Sequence, residues 1–238
     1  MDFLAQQLPR FVDGAVATVI LTLGGSALAF VLAMFFGILG TVRSGVLRAV
    51  AVVYVETFRG VAALVVMFWL AFALPQLTGF RLDDYFTGIL ALGLNVGAYG
   101  AEVVRGAIQA VPKAQIEATV ALNMSWQRRM RSVVIPQAWA QMLPTFGNLI
   151  IELMKASAVV YTIGILDITA VARLLRSTGD LWWAFGTAFV LYYVIAHLLS
   201  GGVRVLERRA NRKLGRLPAA RKAAKTPLRV PAGGGGDA

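Results

Sequence analysis

The chain contains no cysteine and a single histidine, His197. Disulfides, thiolate metal sites and cysteine nucleophiles are therefore excluded. One imidazole is also a poor basis for an acid–base or metal-centred enzyme, and His197 reads as a packed or hydrogen-bonded residue. No G-x-x-x-x-G-K-[S/T] phosphate loop occurs, so any ATP must be bound by another chain. Acid is scarce, with 12 Asp and Glu against 23 Lys and Arg and a net charge of +11. Charge of either sign is missing altogether from residues 14–42, 60–80, 85–101, 132–151 and 181–203.

Those empty stretches set the fold class. Crossing the hydrocarbon core takes about 20 mostly apolar residues in a helix. Four of the windows reach that length, and the third becomes long enough if Glu102 and Arg105 lie near its end. A mean hydropathy of +0.70 agrees with this and is too high for an ordinary soluble domain. The expectation is an all-α integral membrane protein with five spans. The first run follows Asp2, Arg10 and Asp13 rather than a basic n-region, and it is too long for a signal peptide's apolar core.

Five spans place the termini on opposite sides. Basic residues gather in Arg43–Arg59, Arg105–Arg131 and Arg204–Arg229, which share one side if the spans alternate; Arg10, Arg81, Arg173 and Arg176 hold the other. Lys and Arg favour the cytoplasmic side, so the N-terminal segment 1–13 is expected outside and the C-terminus inside. The excess charge reads as anchorage to membrane lipid rather than to nucleic acid. Residues 211–238 are basic, lack an apolar face and contain Gly233–Gly236; a disordered cytoplasmic tail is expected there.

Along the chain, helices are expected over about 12–42, 50–75, 85–110, 139–166 and 181–206. The second should end near Pro75, and Pro144 should break or kink the fourth. Gly24, Gly25, Gly37 and Gly40 suit close helix packing, and Trp69, Trp139, Trp182 and Trp183 suit the interfacial belts. Three acid–base pairs are spaced three residues apart, each on one helix face: Glu56 with Arg59, Glu102 with Arg105, and Glu152 with Lys155. A charge inside a membrane is costly unless it meets a partner or water. The first two pairs read either as mutual neutralisation near the membrane boundary or as a cytoplasmic gate. Glu152 and Lys155 lie deeper and read as lining of a solute path. Asn95, Tyr99 and Asn148 suit path lining or interhelical hydrogen bonds.

Between the third and fourth spans lies Glu117-Ala118-Thr119, then Asn123, then Val133-Val134-Ile135-Pro136. This resembles the EAA loop of permease subunits in bacterial ABC importers: Glu-Ala-Ala, three residues, Gly, nine residues, Ile-x-Leu-Pro. Thr119 replaces the second Ala and Asn123 stands at the Gly position. Asn is the residue after Gly that best tolerates positive φ, so the turn is preserved. Further segments are similar to the polar-amino-acid branch, whose substrates include histidine, glutamate, glutamine, arginine and opines. They are Glu56-Thr57-Phe58-Arg59-Gly60, Leu94–Gly106, Val111–Gln115, Leu143-Pro144, Gly147-Asn148 and Leu153-Met154-Lys155. The chain departs from the family at Val61-Ala62 and at Ala156, which follows Lys155 where an acidic or polar residue is usual.

The resemblance implies a permease domain over 14–210, with a cytoplasmic coupling loop over about 111–136. Glu117, Ala118, Thr119, Asn123, Ile135 and Pro136 would form that loop against an ATPase subunit. It further implies a pair of ATPases carrying ATP and Mg, a second permease subunit, identical or paralogous, and an extracytoplasmic solute-binding protein. This chain would carry no cofactor and catalyse no reaction. Within the branch, Leu94–Arg105 with Ala121–Ser125 and Arg129–Arg131 is most similar to permeases assigned to ectoine and hydroxyectoine uptake. The missing acid after Lys155 argues against a cationic amino acid. The alternatives are an ion-coupled secondary carrier, a membrane enzyme subunit and a membrane scaffold.

Overall fold

The computed structural model describes residues 2–176 and 181–213. Four helical stretches are long and apolar enough to cross a bilayer: Gln7–Leu39, Asp84–Gln109, Trp126–Ile163 and Leu181–Arg209. Two further pieces, Gly45–Gly60 and Ala63–Thr78, bent by 99° relative to each other, pass the same test together and make a fifth crossing if they form one broken span. The described residues form an all-helical protein with four to five candidate spans, against the five expected.

Helix α1 (Asp2–Leu39) packs along α5 (Asp84–Gln109) over most of its length. It starts ten residues earlier than the sequence suggests, because the apolar pattern continues through Phe11, which is buried. The two helices approach closely through small residues. A Cβ at Gly37 would lie 2.5 Å from Val104 Cβ and 2.8 Å from the Ala101 carbonyl oxygen; one at Gly93 would lie 2.7 Å from Leu28. Side chains that leave room for backbone approach are how helices associate where lipid offers no hydrophobic driving force. Since a backbone oxygen cannot move aside, Gly37→Val is expected to cost about 1–3 kcal/mol. The purified chain should lose its monodisperse profile at a temperature several degrees lower.

The second expected helix is not continuous. Helix α2 (Gly45–Gly60) ends in extended backbone at Val61, and α3 (Ala63–Phe68), a π-helical turn and α4 (Leu74–Thr78) follow. Conversely, α8 (Ile135–Ala156) runs through Pro144 without interruption. The irregular turns flank it instead: a π-helical stretch Met130–Val134 and a 3₁₀ stretch Ser157–Ile163. In a membrane interior each freed carbonyl needs another donor, and at the α2 break side chains of α5 supply them, as described below.

The segment after the fourth span contains α9 (Ile168–Leu175), capped by the fully buried Asp167. The Asp167 carboxylate accepts hydrogen bonds from the Ala170 amide at 2.8 Å and the Tyr192 hydroxyl at 3.0 Å. Burial pushes this carboxyl above the usual carboxylate range, although those hydrogen bonds oppose the shift. Tyr192 belongs to α10 (Leu181–Lys213), so one carboxylate fixes α9 and ties it to the last span. Asp167→Ala removes a cap and one of the two hydrogen-bond partners of the Tyr192 hydroxyl, Thr169 remaining as the other. It should lower stability by about 1–3 kcal/mol, visible as a reduced melting temperature in detergent, with Asp167→Asn retaining part of it. Of the expected tail, Asn211–Lys213 continue α10, and 214–238 lie outside the described residues.

Candidate functional site

Two structures stand out: the broken second span, and the loop joining the third span to the fourth. The break follows the Glu56–Gly60 segment. There the Asn95 amide donates to the Phe58 carbonyl at 2.7 Å and to the Val61 carbonyl at 3.0 Å. The Tyr99 hydroxyl donates to the Arg59 carbonyl at 3.4 Å. One turn of α5 thus satisfies the carbonyl end of a half-helix. A broken helix whose polar end lies among other spans is the arrangement from which membrane transporters build solute sites. Sequence spacing left Asn95 and Tyr99 open between path lining and interhelical bonding; both make interhelical bonds, and Tyr99 also remains exposed.

The charged pairs behave differently from one another. Arg105 and Glu102 form a two-point ion pair, with Nε to Oε1 at 3.0 Å and Nη2 to Oε2 at 2.5 Å. Arg59 is not paired with Glu56. Its guanidinium lies 5.4 Å from the centre of the Tyr99 ring and acts electrostatically on Glu102. Glu152 and Lys155 form no ion pair among the described residues, and both are exposed on this chain together with Asn148, Pro144 and Thr145. Spacings of three and four put these residues on one face of α8. The opposite face, Met142, Leu149 and Leu153, is buried. The structure therefore joins Arg59, Asn95, Tyr99, Glu102 and Arg105 around the break, and sets Asn148, Glu152 and Lys155 in a separate polar stripe.

The connecting loop has a defined shape. Helix α6 (Lys113–Ala121) carries Glu117 and Ala118 exposed and Thr119 buried. Its end is closed by hydrogen bonds from the Met124 amide to the Thr119 carbonyl at 3.0 Å and from the Asn123 amide to the Val120 carbonyl at 2.9 Å. This pairing needs a left-handed residue just past the helix end, and Asn123 has φ of +52°. The turn inferred from an Asn at a Gly position is thus present. Short α7 (Trp126–Arg129) follows, capped by Ser125.

The loop is fastened to the spans. Val111, Met130, Val134 and Ala138 are buried in one cluster, against which Ile116 and Ile135 pack. The Gln137 side chain donates to Gln115, joining α6 to α8. Pro136 follows directly on the π-helical turn Met130–Val134 inside the continuous helical stretch Trp126–Ile163, and the irregular turn lies where its missing amide interrupts the hydrogen-bond ladder. Beside this anchored base, Val120, Leu122 and Trp126 are exposed at 58%, 74% and 41%. With Arg43, Arg129 and Asn123, Val120 and Trp126 line a cavity of about 360 Å³. An exposed apolar and charged surface on a short helix locked to two spans is suited to receive force from a partner.

Comparison with known proteins agrees with this geometry. Residues 29–212 match the family model described as the binding-protein-dependent transport system inner membrane component. The chain is 39% identical over 205 residues to a probable amino-acid ABC transporter permease protein, y4tF, of Sinorhizobium fredii, covering 84% of this chain and 86% of that one. It is 31% identical to the glutamine transport system permease protein GlnP of Escherichia coli, covering 85% and 93%. Among solved structures it superposes on a chain of an amino acid ABC transporter crystallised with histidines, with a TM-score of 0.79, 31% identity, and 87% and 96% coverage. The MetNI methionine ABC transporter, at 18% identity and a TM-score of 0.74, shares the fold. A multi-pass helical chain with these relatives belongs to the binding-protein-dependent inner-membrane components, the permease subunits of ABC importers.

Proposed function

We propose that this chain is one half of the translocation path for an amino acid or a related zwitterion, driven by a separate ATPase pair. The anchored α6–Asn123 element carries this reading, because it offers Glu117, Ala118, Val120 and Leu122 to a partner while Thr119, Ile135 and Pro136 hold it to the spans. Closure of the ATPases around ATP and Mg displaces that element, and α5, which ends before it, and α8, which begins after it, pass the displacement to the path. Substrate arrives from a binding protein on the opposite side. The distribution of basic residues supports an external N-terminus and a cytoplasmic coupling loop.

Asn148, Glu152 and Lys155 line the path in this reading, a stripe without internal ion pairs that a second permease subunit, identical or paralogous, completes. Glu56, Arg59, Glu102 and Arg105 form the gate beside the broken span. Relatives named for amino-acid transport favour an amino-acid substrate. Ectoine or hydroxyectoine is the narrower proposal and rests on the local segments described above; Ala156 after Lys155 leaves the stripe with one acid and one base, which suits a zwitterion. Co-purification of the tagged chain in mild detergent should recover an ATPase, and the ATPase activity should rise with substrate-loaded binding protein. Glutamine, arginine and ectoine tested side by side identify the substrate. Recovery of the chain alone with no ATPase activity contradicts the reading.

A further inference from the structure

A cleft of about 200 Å³ opens between the end of α1, α2 and α5, lined by Arg48, Glu56, Glu102 and Arg105 over an apolar floor that includes Phe36 and Val55. Its four charges divide unequally. Glu102 and Arg105 satisfy each other through two hydrogen bonds, whereas Arg48 and Glu56 have no ion-pair partner among the described residues and are both exposed. They stand eight residues apart on α2, roughly 12 Å along its axis at 1.5 Å per residue. Both are long side chains lining the same cleft, so their charged ends border one shared space.

From this juxtaposition we infer that the cleft binds a zwitterion, its carboxylate or phosphate on Arg48 and its ammonium on Glu56. Charge balance supports a ligand of this kind. The lining is neutral in sum, so a ligand with net charge would leave an uncompensated ion beside the apolar floor, whereas a zwitterion leaves none. Guanidinium pairs with either oxyanion in a two-point arrangement. The same chemistry can come from two sources: a free amino acid, or the headgroup of phosphatidylethanolamine. The inference rests on the placement of Glu56, Glu102 and Arg105 given above and not on the transport reading. It places a second binding position apart from the α8 stripe.

The full chain in phosphatidylglycerol nanodiscs, whose headgroup carries no ammonium, probed with radiolabelled L-glutamine at equilibrium, tests the first source. Native mass spectrometry of chain extracted from membranes containing phosphatidylethanolamine tests the second. At least one ligand should be held, and Arg48→Gln and Glu56→Gln should each weaken it tenfold or more, with Glu56→Asp recovering part of the affinity. Both positions are exposed, and melting curves of the variants should match the parent. Glutamine binding with no retained lipid assigns the site to free solute, and the reverse assigns it to lipid. If neither probe responds to the two Gln variants, the inference is overturned. Loss of glutamine binding in Asn148→Ala but not in the Arg48 and Glu56 variants also overturns it and leaves the α8 path standing.

Discussion

Glu117→Lys is expected to abolish substrate-stimulated ATP hydrolysis in the assembled importer, by tenfold or more, while leaving the chain folded and in the membrane. The side chain is exposed on α6 and makes no ion pair among the described residues, so nothing within the subunit depends on it. The helix that carries it is held independently, by the buried Val111, Met130 and Val134 beneath it and by the turn at Asn123. Reversing a charge at a docking surface costs about 2–5 kcal/mol when the partner is left unpaired and desolvated, and 1.4 kcal/mol is a factor of ten. Ala118→Asp should act alike by placing a charge in the same contact. The check is ATPase activity of purified complex at matched chain content; unchanged stimulation would remove α6 from the coupling interface.

The second large effect is expected at Asn95. Its amide carries both strong hydrogen bonds to the broken end of α2, and the Tyr99 contact at 3.4 Å is a weaker supplement. Asn95→Leu would leave two carbonyls without their donor, that of Phe58 partly buried and that of Val61 exposed on this chain. An orphaned buried acceptor costs about 1–3 kcal/mol, so the break should rearrange at Phe58. Uptake is expected to fall by at least tenfold with the protein still inserted. Asn95→Asp should be no better, because a carboxylate faces the same carbonyl oxygens without donating to them. Uptake at the parental rate in Asn95→Leu would show that the break needs no such fastening.

The break also marks where sequence reading stopped. The charge-free window 60–80 runs across the bend without a break, and only Gly60 hints at it. What holds the bend is the Asn95 amide, 37 positions from Phe58 and 34 from Val61, which no local pattern connects to either. Pro144 misled in the opposite direction, since helix α8 absorbs it and irregularity appears at Met130–Val134 and Ser157–Ile163. By contrast, Asn123 was legible because the demand for a left-handed residue is local to one turn. The spans were legible because missing charge is a property of the chain itself. Gly37 could be assigned to close packing, but its partner, Val104, required the fold. The three acid–base pairs look equivalent in spacing. They separate only in three dimensions: Glu102 and Arg105 meet, Arg59 turns to Tyr99, and Glu152 and Lys155 stay apart.

The most direct test of the central claim is solute accumulation in proteoliposomes that contain this chain, its ATPase and its second permease. Binding protein loaded with labelled glutamine, arginine or ectoine is supplied outside, and ATP is enclosed with a regenerating system. The account predicts uptake of at least one of these that requires both ATP and binding protein and is lost in Glu117→Lys. Uptake that persists without ATP and follows an imposed ion gradient would contradict it.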